Sequence, residues 1–136
     1  MEKVLKLVLP AELSRLPDFI GPVIEAAEGV GMTQKTLFEI ELALEEALVN
    51  IMNYAYEGTE GDIQVVCSAE NGAVFVVEIT DSGVAFDMTS LPAPDIAAGI
   101  EERKIGGLGI YFMKKLAGKV TYRRAGGKNI LAITFG

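Results

Sequence analysis

The spacing of apolar and polar positions changes period several times along the chain, and each change predicts an element. Residues 3–9 alternate charged and apolar, then run apolar and stop at Pro10, which predicts a strand. From about Leu13 to Val30 the spacing is helical, with Pro17 and Pro22 marking breaks or first-turn positions early on and Gly29 and Gly31 closing the segment. Thr33 offers an N-cap for the longest helical stretch, Gln34 to about Glu57. On that stretch Leu37, Ile40, Leu44, Ala47, Leu48, Ile51 and Ala55 recur at three- and four-residue spacing and form one apolar stripe.

Gly58-Thr59-Glu60-Gly61 reads as a turn. Asp62–Ala69 and Ala73–Thr80 read as strands joined through Glu70-Asn71-Gly72, whose Asn-Gly pair favours a hairpin. After Asp81-Ser82-Gly83 comes a weakly periodic stretch of about twenty residues holding Pro92, Pro94 and Gly99. A loop of that length inside a compact domain is usually functional, often a lid. Gly106-Gly107 leads into a helix from about Leu108 to Leu116, and Val120–Arg124 with Asn129–Phe135 form a final hairpin around Gly126-Gly127.

Consecutive antiparallel strands with helices available for one face predict a two-layer α/β sandwich, not a doubly wound parallel sheet. The length, 136 residues, fits one domain, and no linker, repeat or low-complexity segment interrupts it. Composition then narrows the chemistry. The formal charge is −7 and the basic residues are scattered apart from Lys114-Lys115 and Arg123-Arg124, which disfavours a nucleic-acid backbone as partner. Cys67 is the only cysteine and there is no histidine. An internal disulfide, a cysteine-rich zinc site, Ser-His-Asp or Cys-His catalysis and histidine phosphotransfer are therefore excluded. The N-terminus lacks an apolar core segment and no run is long enough to span a bilayer, so neither a signal peptide nor a membrane partner is expected, and the chain reads as cytoplasmic.

Three short segments carry candidate chemistry. Glu46, Asn50 and Asn53 lie at i, i+4 and i+7 of the long helix, on a face set roughly opposite the Leu37/Leu44/Ile51 stripe, with apolar Phe38, Leu42 and Val49 beside them. A carboxylate and an amide oxygen one turn apart suit Mg²⁺, which takes hard oxygen ligands and keeps several waters; an ordinary amphipathic helix would show the same spacing. Asp81, at the end of an apolar strand with Gly83 nearby, can accept a hydrogen bond from an adenine amino group where the glycine lets a ligand approach the backbone. Asp-Ser-Gly also fits a plain turn. Gly106-Gly107-Leu108-Gly109 opens a helix, where unobstructed N–H groups suit a phosphate chain, and equally fits a tightly packed loop-to-helix junction.

Order and spacing tie these segments together. Glu45–Tyr56, Asp81–Phe86 and Glu102–Gly109 resemble the N, G1 and G2 boxes of the GHKL (Bergerat-fold) ATPases, and within them the anti-sigma-factor serine/threonine kinases. The resemblance covers nearly the whole chain. It implies a histidine-kinase-like ATPase fold over residues 1–136, with a mixed, mostly antiparallel sheet, helices on one face and an ATP lid at about 84–105. It implies ATP and Mg²⁺ as ligands, with Glu46 as the base that accepts a proton from a substrate hydroxyl and Asn50 on the metal. It places Asp81 with Gly83 on adenine, Gly106, Gly107, Leu108 and Gly109 around the phosphates, and Arg103 near the terminal phosphate. Many relatives carry a histidine where Asn53 stands, so Asn53 receives no role.

The function so implied is a kinase that phosphorylates a small STAS-type anti-anti-sigma partner and regulates transcription by partner switching, with a sigma factor and a second copy of the chain as further partners. The alternative is a nucleotide-dependent docking module with little or no turnover, in line with the sparse charge of Ala93–Ile100. A histidine-kinase ATPase fragment ranks lower, because no phosphoacceptor histidine, heptad pattern or sensor segment is present.

Overall fold

The computed structural model of the chain describes residues 1–70, 72–90, 114, 115 and 117–136. The predicted lid from residue 91 onward and the predicted helix from Leu108, except for its helical Lys114 and Lys115, lie outside the described residues.

Strand β1 (Glu2–Pro10) is followed by a short 3₁₀ turn, Leu13–Arg15, and by helix α1 (Leu16–Gly29). Pro17 occupies the first turn of α1, where its missing N–H costs no hydrogen bond, and Phe19, Val23 and Ala27 bury one face at four-residue spacing. The break anticipated at Pro22 does not occur: the helix runs through it unbroken from Leu16 to Gly29. Packing of the buried face on both sides of Pro22 outweighs the one backbone bond a proline cannot make.

Helix α2 (Gln34–Asn50) starts where Thr33, in extended conformation, accepts the backbone N–H of Thr36 through its side chain at 3.2 Å. Every residue of the predicted stripe is buried, from Leu37 to Ala55. The last stretch is not regular α-helix, however. Ile51–Ala55 forms a wider π turn, closed by the Tyr56 N–H on the carbonyl of Ile51 at 3.1 Å.

Strands β2 (Asp62–Glu70) and β3 (Val74–Asp81) form the predicted hairpin, and β4 (Lys119–Ala125) with β5 (Lys128–Phe135) the second. Gly126 and Gly127 sit at φ of 59° and 76°, the left-handed pair that a two-residue hairpin turn requires. The sheet order is β1-β2-β3-β5-β4, and every described ladder is antiparallel, so among the described residues the sheet is antiparallel where a mixed one was expected. Inward positions alternate strictly: Ile63, Val65 and Cys67 on β2, Phe75, Val77 and Ile79 on β3, Leu131, Ile133 and Phe135 on β5. Both helices contribute to the one core this face builds, which makes the protein a two-layer α/β sandwich. Burial pushes the Cys67 thiol up to about 12, so it is a small apolar packing group and no nucleophile.

Core and surface positions of α2 should separate cleanly in denaturant. Leu44→Ala, at a side chain 1% exposed, is expected to lose about 2–5 kcal/mol. Phe38→Ala, at a side chain 62% exposed, should change stability by less than about 0.5 kcal/mol. Urea unfolding of the two variants checks this, and equal losses would contradict the placement of the helix.

Candidate nucleotide site

Three polar side chains are buried among the described residues: Asn50, Asp81 and Asn129. Two of them are sequence candidates. Buried polar groups need partners, and the partners define the site.

Asn50 ends α2 and is 1% exposed. It lies beside Ala43 and Ala47 at the margin of the buried stripe and not opposite it, which corrects the face expected from spacing alone. Phe38 and Leu42, expected to shelter the polar pair, are 62% and 41% exposed and do not. The Asn50 Nδ2 donates to the carbonyl of Glu46 at 2.7 Å and to its Oε1 at 2.8 Å. Both neighbours are acceptors, so this atom is the amide nitrogen, and Oδ1 is left without a donor among the described residues. Glu46 itself is half-buried. Burial raises its pKa, the Asn50 hydrogen bond opposes that, and neighbouring Glu45 adds to it.

Asp81 closes β3 with an inward side chain that is 2% exposed. Its Oδ1 accepts the Gly83 N–H at 2.9 Å and the Asn129 Nδ2 at 2.9 Å. Among the described residues no donor reaches Oδ2. Gly83 answers a steric demand different from the one expected. A Cβ there would lie 2.3 Å from the carbonyl oxygen of Ala55, the atom that accepts the Val84 N–H at 3.0 Å. The glycine lets the end of the α2 segment approach the loop after β3.

Sequence reasoning missed two residues here. Tyr56 is buried, and its hydroxyl donates to the carbonyl of Asp62 at 2.8 Å and accepts the Ser82 N–H at 2.7 Å, tying the segment after α2 to the starts of β2 and of the loop. Burial raises its pKa, against the Ser82 hydrogen bond. Asn129 pairs directly with Asp81 across the β3–β5 ladder. Its signal was present: Asn129 is the one polar member of the inward series Asn129, Leu131, Ile133, Phe135. Arg124, from β4, donates to the carbonyl of Gly83 at 2.9 Å.

The structure therefore joins the Glu46/Asn50 and Asp81/Gly83 elements through Ala55, Tyr56 and Val84. Arg103, Gly106, Gly107, Leu108 and Gly109 lie outside the described residues. No cluster of His, Cys, Asp or Glu able to hold a metal by itself occurs among the described residues, and no helix there is long and apolar enough to cross a membrane.

A profile of the histidine kinase-like ATPase domain matches residues 9–135, and the chain belongs to that family. The chain is also similar to serine-protein kinases. The serine-protein kinase RsbW of Halalkalibacterium halodurans is 28% identical over 140 residues, covering 97% of this chain and 82% of the relative. The serine-protein kinase RsbW of Bacillus cereus (strain AH820) is 26% identical over 109 residues, covering 77% of this chain and 68% of the relative. A crystal structure of the RsbU and RsbW domains of Rv1364c from Mycobacterium tuberculosis matches with a TM-score of 0.64 at 15% identity, over 96% of this chain and 31% of that chain. At that identity it shows the fold, a two-layer sandwich of the Bergerat type.

Two outcomes follow from this geometry. Gly83→Ala should cost about 1–3 kcal/mol in urea unfolding, because the added carbon meets backbone and not a side chain that can swing away. An unchanged stability would contradict the close approach to Ala55. The raised pKa of Glu46 has a definite sign: the protonated form is favoured in the fold, so its contribution is complete below the ordinary value of 4.5 and is lost as pH rises through the folded value. Gln keeps an Oε1 acceptor for Asn50 without the charge. In chelator, melting of E46Q relative to wild type should therefore improve from about pH 4 to about pH 7, whereas a gap constant with pH would refute the raised value.

Proposed function

We propose that this chain is an ATP-dependent serine/threonine protein kinase that phosphorylates a small STAS-domain anti-anti-sigma partner and so regulates transcription by partner switching. One observation carries the reading. The two buried polar side chains of the predicted boxes each keep one oxygen without a protein donor among the described residues, Asn50 Oδ1 and Asp81 Oδ2. Burying an acceptor without a partner is unfavourable, so a ligand is the economical explanation for both.

The two oxygens suit different groups. Asp81 Oδ2 accepts the exocyclic amino group of adenine, with Oδ1 already held by Gly83 and Asn129. Asn50 Oδ1 is a hard neutral oxygen of the kind Mg²⁺ takes alongside water and phosphate oxygens. When bound, Mg²⁺ neutralises charge on the phosphates. Glu46, held by Asn50 at 2.8 Å, accepts the proton of the partner's hydroxyl as that oxygen attacks the γ-phosphorus and the bond to the β–γ bridging oxygen breaks, leaving ADP. Arg103 and the Gly106-Gly107-Leu108-Gly109 turn are assigned to the phosphates on the strength of the family resemblance, with residues 1–136 as one ATPase domain and its lid at about 84–105. A sigma factor and a second copy of the chain are the further partners of a cytoplasmic switch.

Phosphoryl transfer from ATP–Mg²⁺ to a STAS protein tests the proposal. Glu46→Gln should slow transfer by roughly 10²–10⁴-fold while leaving ATP affinity within about threefold. Asp81→Asn should strongly reduce ATP-dependent thermal stabilisation. The alternative, a nucleotide-controlled docking module favoured by the low charge of Ala93–Ile100, predicts nucleotide-dependent complexes with no transfer above that of Glu46→Gln. A wild type that millimolar ATP–Mg²⁺ fails to stabilise would sink both.

A further inference from the structure

Asn129 is 3% exposed and spends all of its hydrogen-bonding capacity on one junction. Its Nδ2 donates to Asp81 Oδ1 at 2.9 Å and to the carbonyl of Val84 at 2.8 Å. Its Oδ1 accepts the backbone N–H of Phe86 at 3.2 Å and the hydroxyl of Tyr122, on β4, at 2.5 Å. The orientation of the amide follows from these partners, since a carboxylate and a carbonyl can only accept and a backbone N–H can only donate. Phe86 in turn packs its ring 5.2 Å from that of Tyr54, in the turn after α2. One amide thus joins β3, the loop over residues 84–86, the β4–β5 hairpin and, through Phe86, the end of the α2 segment.

We infer that Asn129 is a positioning residue for base recognition: it holds Asp81 by Oδ1, so that Oδ2 is the oxygen presented to the nucleotide, and it clamps the first residues of the lid to the β4–β5 hairpin. This rests on the reading of the site as a nucleotide site. The residue type is specified by the four partners. A leucine would leave the Phe86 N–H, the Val84 carbonyl and the Tyr122 hydroxyl without their bonds. A serine or threonine has a single donor for two acceptors. An aspartate would set a second carboxylate against Asp81.

The test uses the full chain as wild type, N129A, N129D, Y122F, D81N and the D81N/N129A double variant. Each is titrated with ATP and with purine riboside triphosphate, which lacks the exocyclic amino group. N129A should weaken ATP binding by roughly tenfold or more and the amine-free nucleotide by less than about threefold. The D81N/N129A variant should bind no more weakly than D81N alone, since the second residue acts through the first. Y122F should give a smaller loss of the same kind. N129D, which sets a second carboxylate against Asp81, should weaken ATP binding at least as much as N129A does. Y122F, which removes one partner of Asn129, decides the matter if N129A fails to fold. Without nucleotide, N129A or Y122F should speed hydrogen exchange at residues 83–86. Equal losses on both nucleotides, additivity with D81N, an N129D that binds ATP like wild type or unchanged exchange would each overturn the inference. A wild type that binds neither nucleotide overturns the ATP reading and this inference together, whereas a wild type that prefers ATP with N129A retaining that preference overturns this inference alone.

Discussion

The carbonyl of Ala55 meets the N–H of Val84 at 3.0 Å across the space that a side chain on Gly83 would fill. The last carbonyls of any helix lack intrahelical partners, and the π turn over Ile51–Ala55 delivers one of them to the loop after β3. Tyr56 reinforces the seam with its two hydroxyl hydrogen bonds, to Asp62 and Ser82. The consequence is a fixed relation between two candidate elements that are far apart in sequence. Asn50 sits one π turn before the seam and Asp81 two residues before Gly83, so neither can shift without breaking it. A slip of one residue in α2 would rotate Asn50 by about 100° away from its place.

Around that seam the fold divides its polar atoms into two kinds. Some are fully spent on protein: both Asn129 donors, its oxygen, Asp81 Oδ1 and the Asn50 amide nitrogen. Asn50 Oδ1 and Asp81 Oδ2 are not, among the described residues. The spent atoms orient the others, and Ile79 and Leu131, the next inward pair on β3 and β5, belong to the close-packed core. Half-buried Glu46 stands apart, with a carboxyl whose charge burial disfavours and whose Oε1 is held by Asn50.

Much of this was legible in the sequence because its causes are local. The stripe from Leu37 to Ala55 declares α2 by its period, Thr33 declares where the helix starts, and Gly126-Gly127 declares a tight hairpin. Where the cause is a distant contact, spacing misled or was silent. Pro22 predicts a break that packing overrides. Phe38 and Leu42 look like shelter for Asn50, but they are exposed, and Asn50 is buried without them. Gly83 is readable as a residue that admits something close; that the something is the Ala55 carbonyl depends on a contact between residues far apart in the chain. Asn129 interrupts an otherwise apolar inward series, yet its four partners come from three other segments and no local pattern names them. The glycine turn at 106–109 stands on the order of its residues and on family resemblance alone.

The sheet has two outer strands among the described residues, β1 and β4, and both are built to resist lateral growth. β1 carries Lys3 and Lys6, a register shift between Lys3 and Leu5, and Pro10 at its end. β4 carries Lys119, Arg123 and Arg124. Charges, a bulge and a proline are the devices that keep an exposed ladder from recruiting another strand. An edge so protected can meet other chains without templating them. The edges thus guard against aggregation by strand addition.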